Sequence, residues 1–115
     1  MGIKEDYTMG YAGAPGFRAG TCRPFYFFDL TENKETELLV VPFQVMDGTL
    51  RNYMKSSPEE SIKIIKQLID KVAEVGGTFV SLWHNESLSE WGPWKGWTQV
   101  YEEMLEHAYE KMQDI

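Results

Sequence analysis

One segment in the second half of the chain carries a full set of helix boundary signals and runs directly into a strand. Ser57 and Glu60 form a capping box, and Pro58 suits the first helical position. Apolar residues then recur at helical spacing up to the glycine pair at 76–77, which can end a helix. An apolar run over 78–82 follows at once. A helix joined this directly to a buried strand is typical of α/β folds.

The rest of the chain adds β-prone runs in its first half and one more helix at its end. The β-prone runs span 7–12, 25–28 and 38–46. Pro42 indicates a bulge or a sheet edge within the last of them. Apolar residues on one side predict a helix over 97–113. We therefore predict a single α/β domain over 1–115 with about four to five strands and two long helices.

So few elements leave a sheet incomplete. A strand–helix–strand unit needs parallel neighbours and cover on both faces of its sheet. Apolar strands left at an edge invite pairing with another chain. We therefore expect a missing half of the fold, a homo-oligomer or partner that covers the open sheet edges, or a loosely closed small sheet.

Three polar side chains stand at the ends of apolar runs and are candidates for chemistry. Arg18 follows Phe17, Asp47 follows Met46, and His84 follows the run over 78–82. The tips of parallel strands meet at one edge of a sheet, where substrates bind. An imidazole there is a candidate proton donor or metal ligand, and a carboxylate such as Asp47 can position it or pair with Arg18.

Each candidate also has a purely structural interpretation. A single histidine at a strand end is often structural, an aspartate before glycine often marks a turn, and Arg18 can form a surface ion pair. Trp91, Trp94 and Trp97 suit either a core or a lid over a site. The second histidine, His107, lies in a charged helical stretch and is expected at the surface.

Composition excludes several classes of partner. The formal net charge of −7 argues against nucleic acid or an anionic membrane as the main partner. No apolar stretch approaches the ~20 residues of a membrane span, and the first residues carry no apolar signal core. The single cysteine, Cys22, allows no internal disulfide and suits a reducing compartment, so we expect a cytoplasmic protein.

Three short motifs share their order with one enzyme family. They are Gly-Phe-Arg-Ala-Gly at 16–20, Met-Asp at 46–47 and Leu-Trp-His at 82–84. In this order they resemble the later part of the polysaccharide deacetylases, the NodB-homology enzymes of carbohydrate esterase family four. Arg-Pro-Phe at 23–25 is an alternative match for the first motif.

The resemblance implies the C-terminal half of a distorted (β/α) barrel and a set of roles. His84 would be the general acid that protonates the leaving amine, Arg18 would orient a catalytic aspartate, and Asp47 would tune Arg18 or His84. The resemblance and the strand-end position together assign Trp83, Asn85 and Trp91 to substrate binding. The substrate implied is an acetylated glycan.

The early motifs of that family have no counterpart here. The chain has neither the paired aspartates nor the His-x-x-x-His pair that would hold zinc or another divalent metal, so we predict no metal ligands in it. We expect a deacetylase-like protein that is inactive alone. The alternative is a non-catalytic α/β module that self-associates or binds a partner or glycan.

Overall fold

The computed structural model describes residues 2–113 as a mixed α/β domain with two small sheets and two long helices. The strands are β1 (Glu5–Asp6), β2 (Phe25–Asp29), β3 (Lys34–Val40), β4 (Val45–Met46) and β5 (Ser81–Leu82). The long helices are α1 (Pro58–Glu74) and α2 (Trp97–Gln113). Single helical turns also form at Thr49–Tyr53, Asn85–Leu88 and Gly92–Trp94. Neither long helix is apolar and long enough to cross a membrane, and no other described helix is.

Both predicted helices are confirmed, and their boundaries have the expected causes. The Ser57 hydroxyl accepts a hydrogen bond from the backbone N–H of Glu60 at 3.1 Å, which satisfies one of the free donors at the start of α1. At the other end Gly76 takes a φ of 63°, and the N–H of Gly77 donates to the carbonyl of Val72 at 2.9 Å. α1 therefore ends at Glu74, just before the glycine pair, as the sequence predicted.

The main core lies between the two long helices and β4. Its buried members are Val45, Leu50, Ile65, Leu68, Ile69, Trp94, Trp97, Val100 and Met104. Trp94 and Trp97 meet edge to face with their ring centroids 5.5 Å apart. Of the three tryptophans that suited a core or a lid, these two are therefore core residues, and they fix the loop that leads into α2.

The first half of the chain builds a three-stranded sheet in the order β1-β3-β2. β1 is parallel to β3, and β2 is antiparallel to it. The run over 25–28 is a strand as predicted, but the run over 7–12 is not, because the chain pairs with β3 only through Glu5 and Asp6. The residue types at 7–12 favoured a strand, but they do not determine which backbone groups form hydrogen bonds with a neighbouring strand.

The predicted strand over 38–46 is split into two. β3 ends at Val40 and β4 begins at Val45, and the two strands belong to different sheets. Pro42 lies in the break, where its missing N–H costs no ladder hydrogen bond. The chain therefore changes sheets at the position where Pro42 indicated an irregularity.

The second sheet consists of β4 and β5, which run parallel with Val45 opposite Ser81 and Met46 opposite Leu82. The buried Gln44 lengthens this short ladder. Its N–H donates to the Val80 carbonyl at 3.0 Å, and its Oε1 accepts the Val80 N–H at 2.8 Å. α1 lies in the connection between the two strands, so the predicted strand–helix–strand order is confirmed.

The described residues form no closed barrel. The radius of gyration is 15.6 Å, against about 13 Å for a compact domain of this length. The principal extents are 48, 33 and 22 Å, and Tyr26, Phe27 and Phe28 of β2 are nearly half exposed. The domain is therefore elongated, with a well-packed helical end and an open sheet end.

One close backbone approach fixes the loop that precedes Arg18. A Cβ atom built on Gly10 would lie 2.4–2.6 Å from three ring carbons of the buried Phe43. We expect Gly10→Ala to lower the free energy of unfolding by about 1–3 kcal/mol, because a buried ring must move to admit the methyl group. Denaturant unfolding measures the change.

The matched control is Gly13→Ala, since a Cβ there meets nothing within 4 Å. In a Phe43→Leu background the smaller side chain leaves room, and the effect of Gly10→Ala should shrink. Equal effects of the two glycine substitutions in the wild-type background would contradict the contact.

Candidate functional site

Asp47 and His84 meet at one edge of the small parallel sheet. Asp47 is the residue after β4, and His84 lies two residues after β5. Because the two strands are parallel and in register, their carboxyl ends lie side by side. The side chains are in contact, with His84 Nδ1 2.8 Å from Asp47 Oδ1. The predicted convergence of these two strand tips is confirmed.

The Asp47 carboxylate is buried and fully engaged in hydrogen bonds. Oδ1 accepts the Gly48 N–H at 2.6 Å and faces His84 Nδ1. Oδ2 accepts the His84 N–H at 2.7 Å and lies 2.6 Å from the Ser87 hydroxyl. Only 1% of the side chain is exposed. Such a carboxylate has a fixed orientation and holds both the backbone and the ring of His84.

Two opposing effects act on the pKa of Asp47. Burial raises the pKa of the carboxyl, because it disfavours the charged form. Hydrogen bonds from Ser87, from the backbone and ring of His84, and from the Gly48 N–H lower it, and they prevail. The pKa therefore lies below its ordinary value of 3.8, and Asp47 is ionised at neutral pH.

The imidazole of His84 has one nitrogen engaged and one available. Since Asp47 is an ionised acceptor, it fixes the proton on Nδ1. The side chain is 63% exposed, so Nε2 faces solvent and can meet a ligand. A carboxylate that holds one imidazole nitrogen while the other is open is the arrangement found in general acid–base pairs and in metal-ligating histidines.

Arg18 does not join this pair through an ion pair with Asp47. Its Nη1 donates to the carbonyl of Gly10 at 3.2 Å. The hydrogen-bond partners of Asp47 are Gly48, His84 and Ser87, and within residues 2–113 no salt bridge joins Arg18 to a carboxylate. Of the two partners that the strand-end position allowed for Asp47, the structure shows His84 and not Arg18, because the bonds to Asp47 come from its own strand end and from the end of the neighbouring strand. The role of Arg18 toward a catalytic aspartate stays a prediction.

The loop that carries Arg18 nevertheless lies along β4. The Gly16 N–H donates to the Gln44 carbonyl at 2.8 Å, just before β4. The Thr49 hydroxyl donates to the Ala12 carbonyl at 2.6 Å, just after Asp47. These two bonds attach the loop to both ends of the strand that positions the carboxylate.

The three predicted substrate-binding residues have different surroundings. Trp83 packs against the core and edge to face with Tyr101 at 5.2 Å, and its Nε1 donates to Ser81 Oγ at 3.2 Å. Asn85 is exposed at the start of the helical turn after His84, and Trp91 is 80% exposed. Asn85 and Trp91 are accessible to a ligand, whereas Trp83 mainly supports the strand.

Ser87 is the site residue that sequence reasoning missed. It is fully buried, and its hydroxyl lies 2.6 Å from Asp47 Oδ2 and 2.7 Å from the His84 carbonyl. The available signal was its spacing, because Ser87 lies three residues after His84, which precedes the helical turn Asn85–Leu88. One turn of 3₁₀ helix brings the residue at i+3 back over the residue at i.

The second histidine is partly buried where α2 meets α1. The His107 side chain is 17% exposed and pairs with Asp70 of α1, with Nε2 2.7 Å from Oδ1. The bond from His107 is the main reason that the pKa of Asp70 lies below its usual value, and Lys111 adds to the effect. His107 therefore belongs to a charged cluster that joins the two helices and remains partly accessible to solvent.

Among residues 2–113 no group of three or more His, Cys, Asp or Glu side chains could hold a metal ion. Both oxygens of Asp47 accept hydrogen bonds, whereas Nε2 of His84 is the ring nitrogen that Asp47 leaves available. The site is a positioned imidazole–carboxylate pair.

Comparisons of the chain with models of protein families, with curated proteins and with solved structures found no match.

Proposed function

We propose that this chain is polysaccharide deacetylase-like and supplies the acid–base side of an active site that hydrolyses the acetamide of an acetylated glycan. The single observation that carries the proposal is the contact between His84 and Asp47 at the carboxyl ends of two parallel strands, with Nε2 open to solvent. The motifs at 16–20, 46–47 and 82–84 provide the family link.

The connection between the two strand tips supports a partial (β/α) barrel. β4, α1 and β5 follow one another, and the strands are parallel neighbours. This is the repeating unit of a (β/α) barrel, in which active sites form at the carboxyl ends of the strands. Asp47 and His84 both stand at that end.

The proposed role of His84 is proton donation. When water adds to the acetamide carbonyl and the carbon–nitrogen bond breaks, the departing amine nitrogen needs a proton. His84 Nε2 can supply it, while Asp47 accepts the Nδ1 hydrogen bond and holds the ring in position. Ser87 and Gly48 keep the carboxylate from turning away.

The proposal requires a second contribution to the active site. A metal that activates water needs about three protein ligands, and residues 2–113 offer no such set. We propose that those ligands come from another segment or another chain. Alone, residues 2–113 should bind the acetylated glycan without turning it over.

A binding experiment tests this proposal without requiring turnover. We expect an oligomer of N-acetylglucosamine to shift the NMR signals of the His84 ring and the Asn85 amide. The fully deacetylated oligomer should shift them less, because it lacks the acetamide that Nε2 would face. Acetate release is measured in parallel with one equivalent of zinc.

His84→Ala and His107→Gln are the matched variants, one at the site and one in the interhelical pair. Loss of the glycan-induced shifts in the first variant alone would support the proposal. Equal shifts with both oligomers, or shifts that persist in His84→Ala, would contradict it.

A second candidate function is self-association through β2, and the exposure of that strand favours it. β2 is the last strand of its sheet, and Tyr26, Phe27 and Phe28 each leave nearly half of their surface exposed. An exposed aromatic edge strand is a template for pairing with another chain. The partner proposed here is a second copy of this chain.

The ladder between β2 and β3 is irregular in the middle of β2. Its register shifts between Tyr26 and Phe28, and the Phe27 carbonyl accepts the Thr36 hydroxyl at 2.6 Å. An antiparallel pair of two β2 strands would have two-fold symmetry, so each copy would offer the same edge to the other.

Light scattering during size-exclusion chromatography tests this candidate. We expect wild-type protein to reach twice the chain mass of 13.3 kDa at high concentration. Phe28→Lys should remain a monomer, because a lysine on an edge strand opposes pairing with another chain.

Leu30→Lys is the control for self-association. Leu30 is 86% exposed beyond the strand, so this variant loses apolar surface without altering the edge. A wild-type monomer at high concentration, or a monomeric Leu30→Lys variant, would contradict edge pairing.

A further inference from the structure

Three cationic side chains from different segments line one shallow groove beside the helical end of the domain. Arg51 comes from the helical turn after Asp47, Lys55 from the residues that follow, and Lys95 from the loop before α2. Asn52 and Ser56 add an amide and a hydroxyl. The groove has a volume of about 490 Å³. We call it the basic groove.

The charge of the basic groove is opposite to that of the chain. The chain has 18 acidic and 11 basic residues, yet no carboxylate lines the groove. Within residues 2–113 none of the three cations has a carboxylate within salt-bridge distance. The Glu90 carboxylate lies beside the groove, because it accepts the N–H groups of Gly96 and Thr98 at the start of α2. Three cations against this one carboxylate leave an excess of positive charge, which is typical of an anion site.

The guanidinium of Arg51 is held in place before any ligand arrives. Its Nε donates to the Pro93 carbonyl at 3.3 Å, and its Nη1 donates to Asn52 Oδ1 at 2.5 Å. The group also lies 5.0 Å from the centroid of the Trp94 ring. These contacts use two of its five N–H groups. The others can meet an oxyanion without further loss of side-chain freedom.

The backbone at Lys55 is an independent observation. Lys55 has a φ of 53°, in the left-handed region that favours glycine or asparagine. The next residue closes the turn, because the Ser56 N–H donates to the Leu50 carbonyl at 2.8 Å. This backbone conformation directs the chain at Lys55 along the groove, and backbone strain of this kind is common at binding sites.

We infer that the basic groove binds an oxyanion, namely the phosphate, sulfate or carboxylate group of a small polar ligand or an acidic sugar. Arg51 provides a directional contact, and Lys55 and Lys95 provide charge. The segments that form the groove begin at Asp47 and His84, and Trp94 Nε1 donates to Glu86 Oε1 at 3.2 Å between them. The groove is a binding site separate from the acid–base pair, and the inference holds whether or not His84 is catalytic.

An NMR titration with inorganic phosphate at constant ionic strength tests the inference. We expect saturable shifts of the backbone amides of Asn52, Lys55, Ser56, Lys95 and Gly96. The Lys55→Gly, Lys95→Ala double variant should weaken binding about ten-fold, because it removes two of the three charges. Glycine suits the backbone at 55, so this variant is expected to fold.

A Lys34→Ala, Lys63→Ala double variant is the control, because it loses the same charge from exposed positions outside the groove. D-Glucuronate and neutral D-glucose serve as further ligands. Tighter binding of phosphate assigns the groove to a phosphate ligand, and tighter binding of glucuronate assigns it to an acidic sugar. Three results would overturn the inference. They are shifts spread over all lysines, equal weakening of phosphate binding in both double variants, and binding of glucose as tight as that of glucuronate.

Discussion

The Trp97→Ala variant should lose about 3–5 kcal/mol of unfolding free energy, the largest effect that we expect from a single substitution in this chain. Trp97 is 2% exposed and lies in the core between the two long helices. Its removal leaves a cavity and takes away the edge-to-face contact with Trp94. Domains of this size are stable by about 5–15 kcal/mol, so a sizeable fraction of the variant should be unfolded under mild denaturing conditions.

Trp91→Ala provides the same chemical change at the surface. Because Trp91 is 80% exposed, we expect a change in unfolding free energy within about 0.5 kcal/mol. Denaturant titrations followed by circular dichroism compare the two variants. Similar midpoints for both would place the core elsewhere than between α1 and α2.

The Asp47→Asn variant should lose about 2–4 kcal/mol and misplace His84. The carboxylate accepts bonds from His84, Ser87 and Gly48 in a buried position. An amide keeps one oxygen but directs an NH₂ group at donors, so some buried donors lose their acceptor. Unfolding free energy and the NMR signals of the His84 ring report the two effects.

Asp6→Asn is the matched control for this substitution. Asp6 accepts two hydrogen bonds from Thr8, but its carboxylate is exposed and water can replace the lost bonds. We expect only a small change in stability. If Asp6→Asn lowered the free energy of unfolding as much as Asp47→Asn, burial of the carboxylate would not be the reason for the loss.

The effect of Asp47→Asn should depend on pH. Because hydrogen bonds hold the pKa of Asp47 below 3.8 in the folded state, ionised Asp47 stabilises the fold above that value. This contribution is lost as the pH falls through the lower folded-state pKa. We therefore expect the wild type and the variant to approach each other in stability in acid, and a constant difference down to pH 2 would argue against the low pKa.

Local signals in the sequence predicted the helices and the two strand tips well. The capping residues Ser57 and Pro58 and the glycine pair at 76–77 act within a few residues of where they stand, so helix bounds follow from short-range chemistry. Asp47 and His84 were found because polar residues that end apolar runs stand at sheet edges. Their direct contact is confirmed.

The predictions that failed, or that left a choice open, concern partners distant along the chain. The run over 7–12 is β-prone but found no ladder, and Arg18 found a backbone carbonyl instead of Asp47. Ser87 was missed because its role depends on the fold of the turn after His84. In each case the choice of hydrogen-bond partner depends on tertiary geometry that local patterns do not encode.

Gln44 helps to align the two strands that carry Asp47 and His84, although it bonds to neither side chain. Two paired residues in each strand are a weak constraint on alignment, and a shift by one residue would turn alternate side chains to the opposite face. The backbone N–H of Gln44 donates to the Val80 carbonyl and its side-chain Oε1 accepts the Val80 N–H, so the side chain adds one bond that opposes a shift in register. The contact between His84 and Asp47 therefore depends on a glutamine that bonds to neither, and we expect a substitution at position 44 to loosen this contact before it changes the rest of the fold.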